Sequence, residues 1–100
     1  MASSLETQFN EAMHDIYRKA KSKAKYNAIR FLQMVTDHRS IETAHILINS
    51  PTVSDGYTAL WERGRLDLTV ESMVLENEIF HELFSEEELI ICRERLIQYL

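Results

Sequence analysis

The feature that most constrains this chain is its shortage of turn-forming residues, since only two glycines and one proline stand among its 100 residues. A β fold of this length draws repeatedly on such residues for its hairpin turns. Glutamate, leucine, isoleucine, alanine and arginine dominate instead, and the helix formers among them favour an all-α chain. We therefore expect one compact all-α domain over residues 1–100, a bundle of five to seven short-to-medium helices.

Apolar spacing and capping residues predict where the helices lie. Phe9, Met13 and Ile16 begin a stripe at three- and four-residue spacing, which predicts a long first helix. Asn27 and Ser40 are expected to cap the second and third helices. The first four helices are expected over about 5–25, 28–37, 41–48 and 57–63. A further helix is expected after Asp67. The last helix is expected to start from a capping box at Ser85 and Glu88 and to run to near the C-terminus. The predicted core consists of Phe9, Ile16, Phe31, Leu32, Leu60, Trp61, Val70, Met73, Leu89 and Leu96.

The stretch LWERGRLDLTVESMVLEN, residues 60–77, contains the only tryptophan of the chain. Gly64 stands where a left-handed C-terminal cap would end the fourth helix, and Asp67 is placed to cap the next one. We expect a structural corner that is pinned by a buried Trp61. An exposed Trp61, or a paired Arg63 and Arg65, would instead favour a functional role for this corner.

A DNA-binding helix-turn-helix is excluded at this corner. The second helix of such a motif faces phosphates and base edges, but LTVESMVLENE carries three glutamates and no cation. The basic stretch from Arg18 to Arg30 is the better nucleic-acid candidate, because phosphate binding needs clustered cations. It contains no acid and six cations: Arg18, Lys19, Lys21, Lys23, Lys25 and Arg30. A solvated helix face explains the same pattern.

Three glutamates precede a histidine by three residues, a spacing that puts both side chains on one helix face. The pairs are Glu11 with His14, Glu42 with His45, and Glu78 with His81. Such pairs help to build di-metal carboxylate sites in long four-helix bundles. Surface Glu–His pairs explain the spacing more simply, so we expect no metal and no cofactor.

Other classes of function find little support in the sequence. It contains no CxxC, Gly-x-Ser-x-Gly, phosphate-binding loop or dinucleotide motif. Cys92 lies on the apolar face of the last helix, which is typical of a core residue. We therefore expect no catalysis. No run of 18 apolar residues predicts a membrane span, and the N-terminus does not read as a secretion signal.

Taken together, QFNEAMHDIY, YNAIRFLQM, SDGYTALWERGRLDLTVESMVL and LFSEEEL…RERL resemble a family of short, uncharacterised bacterial all-helical proteins and domains. The resemblance covers most of the chain, and residues 57–75 are its most specific part. It implies a bacterial or phage cytoplasmic protein and brings no known activity, ligand or catalytic residue. Lys25 stands where the family pattern favours glycine, which implies a less sharp break after the first helix.

The sequence thus favours a non-catalytic protein-interaction module in the cytoplasm. Residues 1–50 carry a net charge of +2 and residues 51–100 a net charge of −7. Such a dipolar chain is suited to self-association or to a charged protein partner. The first alternative is a nucleic-acid accessory protein that uses Arg18 to Arg30, and the second is a metal-binding protein that uses the Glu–His pairs.

Overall fold

The computed structural model describes residues 4–99, so the ends of the predicted domain, residues 1–3 and residue 100, lie outside the described part. Over residues 4–99 the chain forms six α-helices, two 3-10 helices and no strand, which confirms the all-α prediction. The α-helices are α1 (Leu5–Lys23), α2 (Ile29–His38), α3 (Ser40–Asn49), α4 (Asp55–Glu62), α5 (Val70–Glu76) and α6 (Glu86–Gln98). The 3-10 helices span Leu66–Leu68 and Glu78–Leu83.

Helix α1 organises the core. Its buried stripe is Phe9, Met13, Ile16 and Ala20, as the periodicity predicts. The N-terminal half packs into a main core against residues of α2, α3, α5 and α6, where the rings of Phe9 and Phe80 meet edge to face at 5.1 Å. The C-terminal end packs into a second, smaller cluster formed by Ala20, Ala24, Leu60 and Leu68. The same helix therefore connects the main core to the region after α4.

A tight turn follows α1. The helix ends at Lys23, and Lys25 adopts the left-handed conformation with φ 57°. The amide of Tyr26 then donates back to the carbonyl of Ala20 at 3.0 Å, which closes the turn. The backbone thus adopts the glycine-like conformation at Lys25 despite the side chain. That the break is less sharp than in relatives with glycine stays a prediction.

Two of the expected helix caps are wrong. Asn27 caps no helix, since its side-chain oxygen accepts a hydrogen bond from the hydroxyl of Tyr17 at 2.8 Å. Ser40 lies inside α3 rather than before it, and its hydroxyl donates to the side chain of Asn10 on α1. In both cases a tertiary hydrogen bond replaces the local one.

The capping box of α6 is confirmed. The Ser85 hydroxyl accepts from the amide of Glu88 at 3.1 Å, and the Glu88 carboxylate accepts from the amide of Ser85 at 2.8 Å. Partial burial alone would raise the pKa of Glu88, but the Ser85 amide and the side chains of His45 and Asn49 outweigh burial and lower it. The carboxylate thus joins the start of α6 to α3.

The predicted core is correct in its centre and wrong at one residue. Phe9, Ile16, Leu60, Val70 and Met73 are buried. Trp61 is instead exposed, so its predicted place in the core is wrong. The remaining predicted core residues are only partly buried: Phe31, Leu32, Leu89 and Leu96.

Candidate functional site

The chain turns sharply after α4, and glycine makes that turn possible. Gly64 has φ +69°, a conformation that other residues rarely adopt. Its amide donates to the carbonyl of Trp61 at 3.0 Å, and the amide of Arg65 donates to the carbonyl of Leu60 at 2.8 Å. These two bonds form a Schellman motif. The left-handed C-terminal cap predicted at Gly64 is confirmed.

Trp61 lies on the flank of this corner and not in the core. Its side chain is 44% exposed, whereas its neighbour Leu60 is buried against the end of α1. Adjacent helical residues point about 100° apart, so only one of the two can face the small cluster. The indole nitrogen of Trp61 donates to the carbonyl of Tyr99 at 3.0 Å, and the rings of Trp61 and Tyr99 meet edge to face at 5.5 Å. The side chain is therefore exposed but held in one orientation.

Both arginines of the corner are held by intramolecular contacts. Arg63 donates to the carbonyl of Ala59 at 2.9 Å, and its guanidinium lies 5.1 Å from the ring centre of Tyr26. Arg65 makes a bidentate pair with Asp67, at 3.0 Å and 2.9 Å. These hydrogen bonds lower the pKa of Asp67. The corner is consequently preorganised on both sides of Gly64.

Asp67 does not cap the next helix, which corrects the sequence prediction. It lies inside the 3-10 helix Leu66–Leu68. Helix α5 begins at Val70, and its cap is Thr69, whose hydroxyl accepts from the amide of Ser72 at 3.2 Å. The 3-10 turn moves the start of α5, and Asp67 is left to fix Arg65.

Residues 61–64 are all exposed and consecutive, so they form one protruding turn. We call Trp61, Glu62, Arg63 and Gly64 the corner surface. It presents a half-exposed indole, one acid and one fixed cation. Tryptophan and arginine are the residues most enriched among the strong contacts of protein interfaces.

Most cations of the basic stretch are occupied. Asp15 binds Lys19 at 2.9 Å and Arg18 at 3.7 Å. Arg30 pairs with Asp55 at 3.7 Å, and the ammonium group of Lys25 donates to a backbone carbonyl of its own turn. The stretch is therefore less available to an anion than its composition predicts.

Lys21 and Lys23 are the exception. Both are exposed in the last turn of α1, and no ion pair is found for either within residues 4–99. Ala20 and Ala24 of the same turn pack against Leu60 next to the corner. The charge of Lys23 also contributes to the lowered pKa of Asp67. The free cations of the basic stretch therefore lie near the corner.

The three Glu–His pairs are not brought together. His45 bonds Glu88 of α6 at 2.5 Å instead of Glu42, and the ring nitrogen Nε2 of His81 lies 3.1 Å from the carbonyl oxygen of Val74. Glu11, Glu42 and Glu78 are exposed. Residues 4–99 contain no group of three or more His, Cys, Asp or Glu side chains that could hold a metal ion. The structure therefore leaves these three glutamates on helix surfaces and gives His45 and His81 hydrogen-bond partners elsewhere in the fold.

Cys92 is fully buried in the main core. Burial raises the pKa of its thiol to about 12, and the charge of Glu71 acts in the same direction. A nucleophilic cysteine needs accessible thiolate. The thiol is protonated at neutral pH, in agreement with a packing role.

Two features of the structure have no counterpart in the sequence analysis. The first is a buried ion pair between Glu71 of α5 and Arg95 of α6, at 3.1 Å. The second is a cavity of about 220 Å³ between α1, α2, α4 and α5. No motif marks either one. Helical spacing indicates only that Tyr57, a residue of the cavity lining, is buried, because it stands three residues before the buried Leu60 on α4.

Comparisons with protein-family models, with curated proteins and with solved structures gave no significant match. Within residues 4–99 there is also no helix both long and apolar enough to cross a membrane. The corner surface, the two free lysines and the cavity therefore have to be interpreted from their own chemistry.

Proposed function

We propose that this chain is a non-catalytic, cytoplasmic protein-interaction module that docks through its corner surface. The observation that carries the proposal is the side chain of Trp61, which is 44% exposed and yet fixed by Tyr99. An exposed aromatic side chain that is already ordered loses little conformational entropy when a partner covers it. A rigid indole on a protruding turn therefore has the properties of an interface anchor.

Charge at the corner favours an acidic partner. Arg63 is exposed and held in place, and Lys21 and Lys23 lie nearby without ion pairs of their own. Opposite charge raises association rates and aligns partners, and salt screens this effect. A second copy of the chain offers one such partner surface, because residues 51–100 carry a net charge of −7.

Affinity capture with matched variants tests the proposal. The immobilised chain, its Trp61→Ala variant and its Ile79→Ala variant are compared in nuclease-treated host lysate. Ile79 is a suitable control because it is 56% exposed and lies on a different element, Glu78–Leu83. Circular dichroism and thermal melting establish that all three proteins are folded.

We expect one partner, or the chain itself, to be retained by the wild type and by Ile79→Ala. Loss of an anchor contact worth about 2 kcal/mol lowers affinity by about 30-fold, so Trp61→Ala should lose most of this partner. Equal retention by both variants would refute the docking role of the corner. Sedimentation of the purified chain distinguishes self-association from binding of another protein.

A nucleic-acid accessory role is the second candidate. It is favoured by two exposed lysines without ion pairs in residues 4–99, Lys21 and Lys23, at the end of the helix that packs against Leu60, the neighbour of the exposed Trp61. Single strands bind to cations and stacking rings together. Replacing Lys21, Lys23 and Lys25 with glutamate should then abolish binding to an oligonucleotide. The control variant makes the same substitution at Arg18 and Lys19, which both already form ion pairs with Asp15. Unchanged oligonucleotide affinity in the triple variant would exclude this role.

A further inference from the structure

Helix α6 has one side that is exposed along its whole length. Its buried residues are Glu88, Cys92 and Arg95, and the opposite side faces solvent. Successive residues of a helix point about 100° apart, so six exposed side chains of α6 lie within about 60° of one direction. We call these six residues the α6 outer face: Glu86, Glu87, Ile90, Arg93, Glu94 and Ile97.

The centre of the α6 outer face has the form of a shallow hole. Ile90 and Ile97 lie two helical turns apart, and Arg93 and Glu94 lie between them at the i+3 and i+4 positions. Four residues at this spacing form the hole that accepts one side chain of a facing helix in knobs-into-holes packing. Both isoleucines are exposed, at 40% and 63%. The hole therefore offers apolar surface at its two ends and one charge of each sign on its sides.

Trp61 has the properties of a side chain that fills such a hole. It lies in the last turn of α4, it is exposed, and Tyr99 holds it in one orientation. The indole can pack against both isoleucines, and its face attracts the guanidinium of Arg93 through a cation–π contact. Arg63 stands two residues further along the corner and brings a cation that Glu94 can pair with.

Charge decides which surface fits the α6 outer face. The face carries three glutamates and one arginine, a net charge of −2, and none of these glutamates forms an ion pair within the described part of the chain. Two copies of this face would therefore repel each other. The corner surface together with Lys21 and Lys23 carries three cations and one acid, a net charge of +2. The charges thus favour the corner of one copy against the α6 outer face of another.

We infer that the α6 outer face is the docking site for the corner surface of a second copy of this chain. Trp61 of one copy fills the hole between Ile90 and Ile97 of the other, and Arg63 pairs with Glu94. Because the two surfaces differ, copies can add head to tail. The inference rests on the proposed docking role of the corner surface and names the surface that it binds.

Sedimentation equilibrium of the purified chain and of three variants tests this contact. The contact is small and therefore weak, so the wild type is measured at up to about 1 mM. We expect its average mass to rise with concentration and to fall in high salt, which screens the charges. Trp61→Ala lacks the indole, and Ile97→Lys places a cation in the hole, so each should associate about 30-fold more weakly. Ile79→Lys is the matched control, because Ile79 is 56% exposed on a different element, and it should associate like the wild type.

An equimolar mixture of Trp61→Ala and Ile97→Lys is the decisive sample. Each variant keeps the surface that the other has lost, so the mixture should form a 1:1 complex that neither variant forms alone. Both variants should stay folded by circular dichroism, since both side chains are exposed and a lysine suits the last turn of a helix.

The possible results separate this inference from the proposed function. A wild type that stays monomeric, association of Trp61→Ala or Ile97→Lys equal to that of the wild type, or a mixture without complex would overturn the inference. The proposed function fails on a different observation, when Trp61→Ala retains the captured partner in lysate as well as the wild type does.

Discussion

Arg95 provides the sharpest test of how the helices are held together. It is 9% exposed and lies on α6. Its guanidinium donates to the carboxylate of Glu71 at 3.1 Å, to the carbonyl of Leu47 at 3.1 Å and to the carbonyl of Ser50 at 2.5 Å. Both carbonyls lie at the C-terminal end of α3, where a cation is favourable. One side chain thus connects α3, α5 and α6.

Replacing Arg95 with methionine keeps the length of the side chain and removes its charge. Glu71, only 4% exposed, would then be a buried carboxylate without its partner. Breaking a buried pair in this way costs about 3–5 kcal/mol. A loss of about 4 kcal/mol lowers the melting temperature of a domain of this size by about 15–30 °C. Such a loss is a large part of the about 5–15 kcal/mol that stabilises a typical domain.

The pH dependence of the variant has a definite sign. Burial raises the pKa of Glu71 above its ordinary value, and Arg95 opposes that effect. Without Arg95 the folded-state pKa rises further, so the folded protein binds a proton more readily than the unfolded chain does. The stability deficit of Arg95→Met should therefore be largest at neutral pH and shrink as the pH falls toward 4.5, the ordinary glutamate value.

Urea unfolding followed by circular dichroism measures these free energies. Arg93→Met is the matched control, because Arg93 is exposed on the same helix, and its change should stay within about 0.5 kcal/mol. The double variant Glu71→Leu with Arg95→Met removes the stranded carboxylate, so its loss should be about 1–2 kcal/mol, from the two carbonyls alone. A loss below about 1 kcal/mol in Arg95→Met, or a double variant less stable than the single one, would refute the reasoning.

Three further predictions concern stability and are checked by the same unfolding measurement. Gly64→Ala should destabilise by about 1–2 kcal/mol because of its positive φ, and Lys25→Gly should stabilise because φ is 57° there. Gly56→Ala, in the first turn of α4 with ordinary contacts at 3.8 Å, should instead stabilise by about 0.5–1 kcal/mol. A Gly64→Ala variant more stable than Gly56→Ala would contradict the backbone argument. Thr43→Val should stabilise by about 1 kcal/mol, since the Thr43 hydroxyl is fully buried without a partner in the described chain, and a loss of stability would show that the hydroxyl is satisfied. The pKa of Glu88 is held low in the folded state by hydrogen bonds that outweigh its burial, so its stabilising contribution is present above about pH 4.5 and is lost as the pH falls through the folded-state pKa. Glu88→Gln should remove that part of the acid transition, and an unchanged acid limb would argue against it.

Local patterns in the sequence predict much of the fold. The buried stripe of α1, the capping box at Ser85 and the left-handed turn at Gly64 each depend on residues close together in the chain. Such features are determined by helix geometry and by backbone conformation. They are correct because the local bonds persist beside the distant ones: one oxygen of Glu88 accepts from the Ser85 amide, while His45 and Asn49 contact the other.

The errors arise where a distant contact decides. Leu60 and Trp61 stand three and four residues after Tyr57, so both satisfy helical spacing, and only the packing of α1 shows which one is buried. Asp67 and Thr69 are both good capping residues, but Asp67 lies inside the 3-10 helix Leu66–Leu68, so Thr69 caps α5. Competition between equivalent local choices is resolved by tertiary structure.

The candidate sites follow the same rule. The exposed indole of Trp61 depends on Tyr99, which is 38 residues away in sequence. The cavity is lined by residues from α1, α2, α4 and α5, and helix periodicity does not reveal the space between helices. Glu71 lies on a helix of only seven residues, five of which are buried in a row. Such a helix has no clear division into a polar and an apolar face, so the sequence pattern does not show that Glu71 is buried.

The measurement that tests the central claim most directly is ¹⁹F NMR of the chain labelled with 5-fluorotryptophan. Trp61 is the only tryptophan, so the spectrum contains one resonance, and an unlabelled partner adds none. Docking through the corner surface predicts that this resonance shifts and loses its sensitivity to a soluble paramagnetic quencher when the captured partner is added. A resonance that keeps its position and its full quenching at saturating partner would contradict the proposal, because the indole would then still face solvent in the complex.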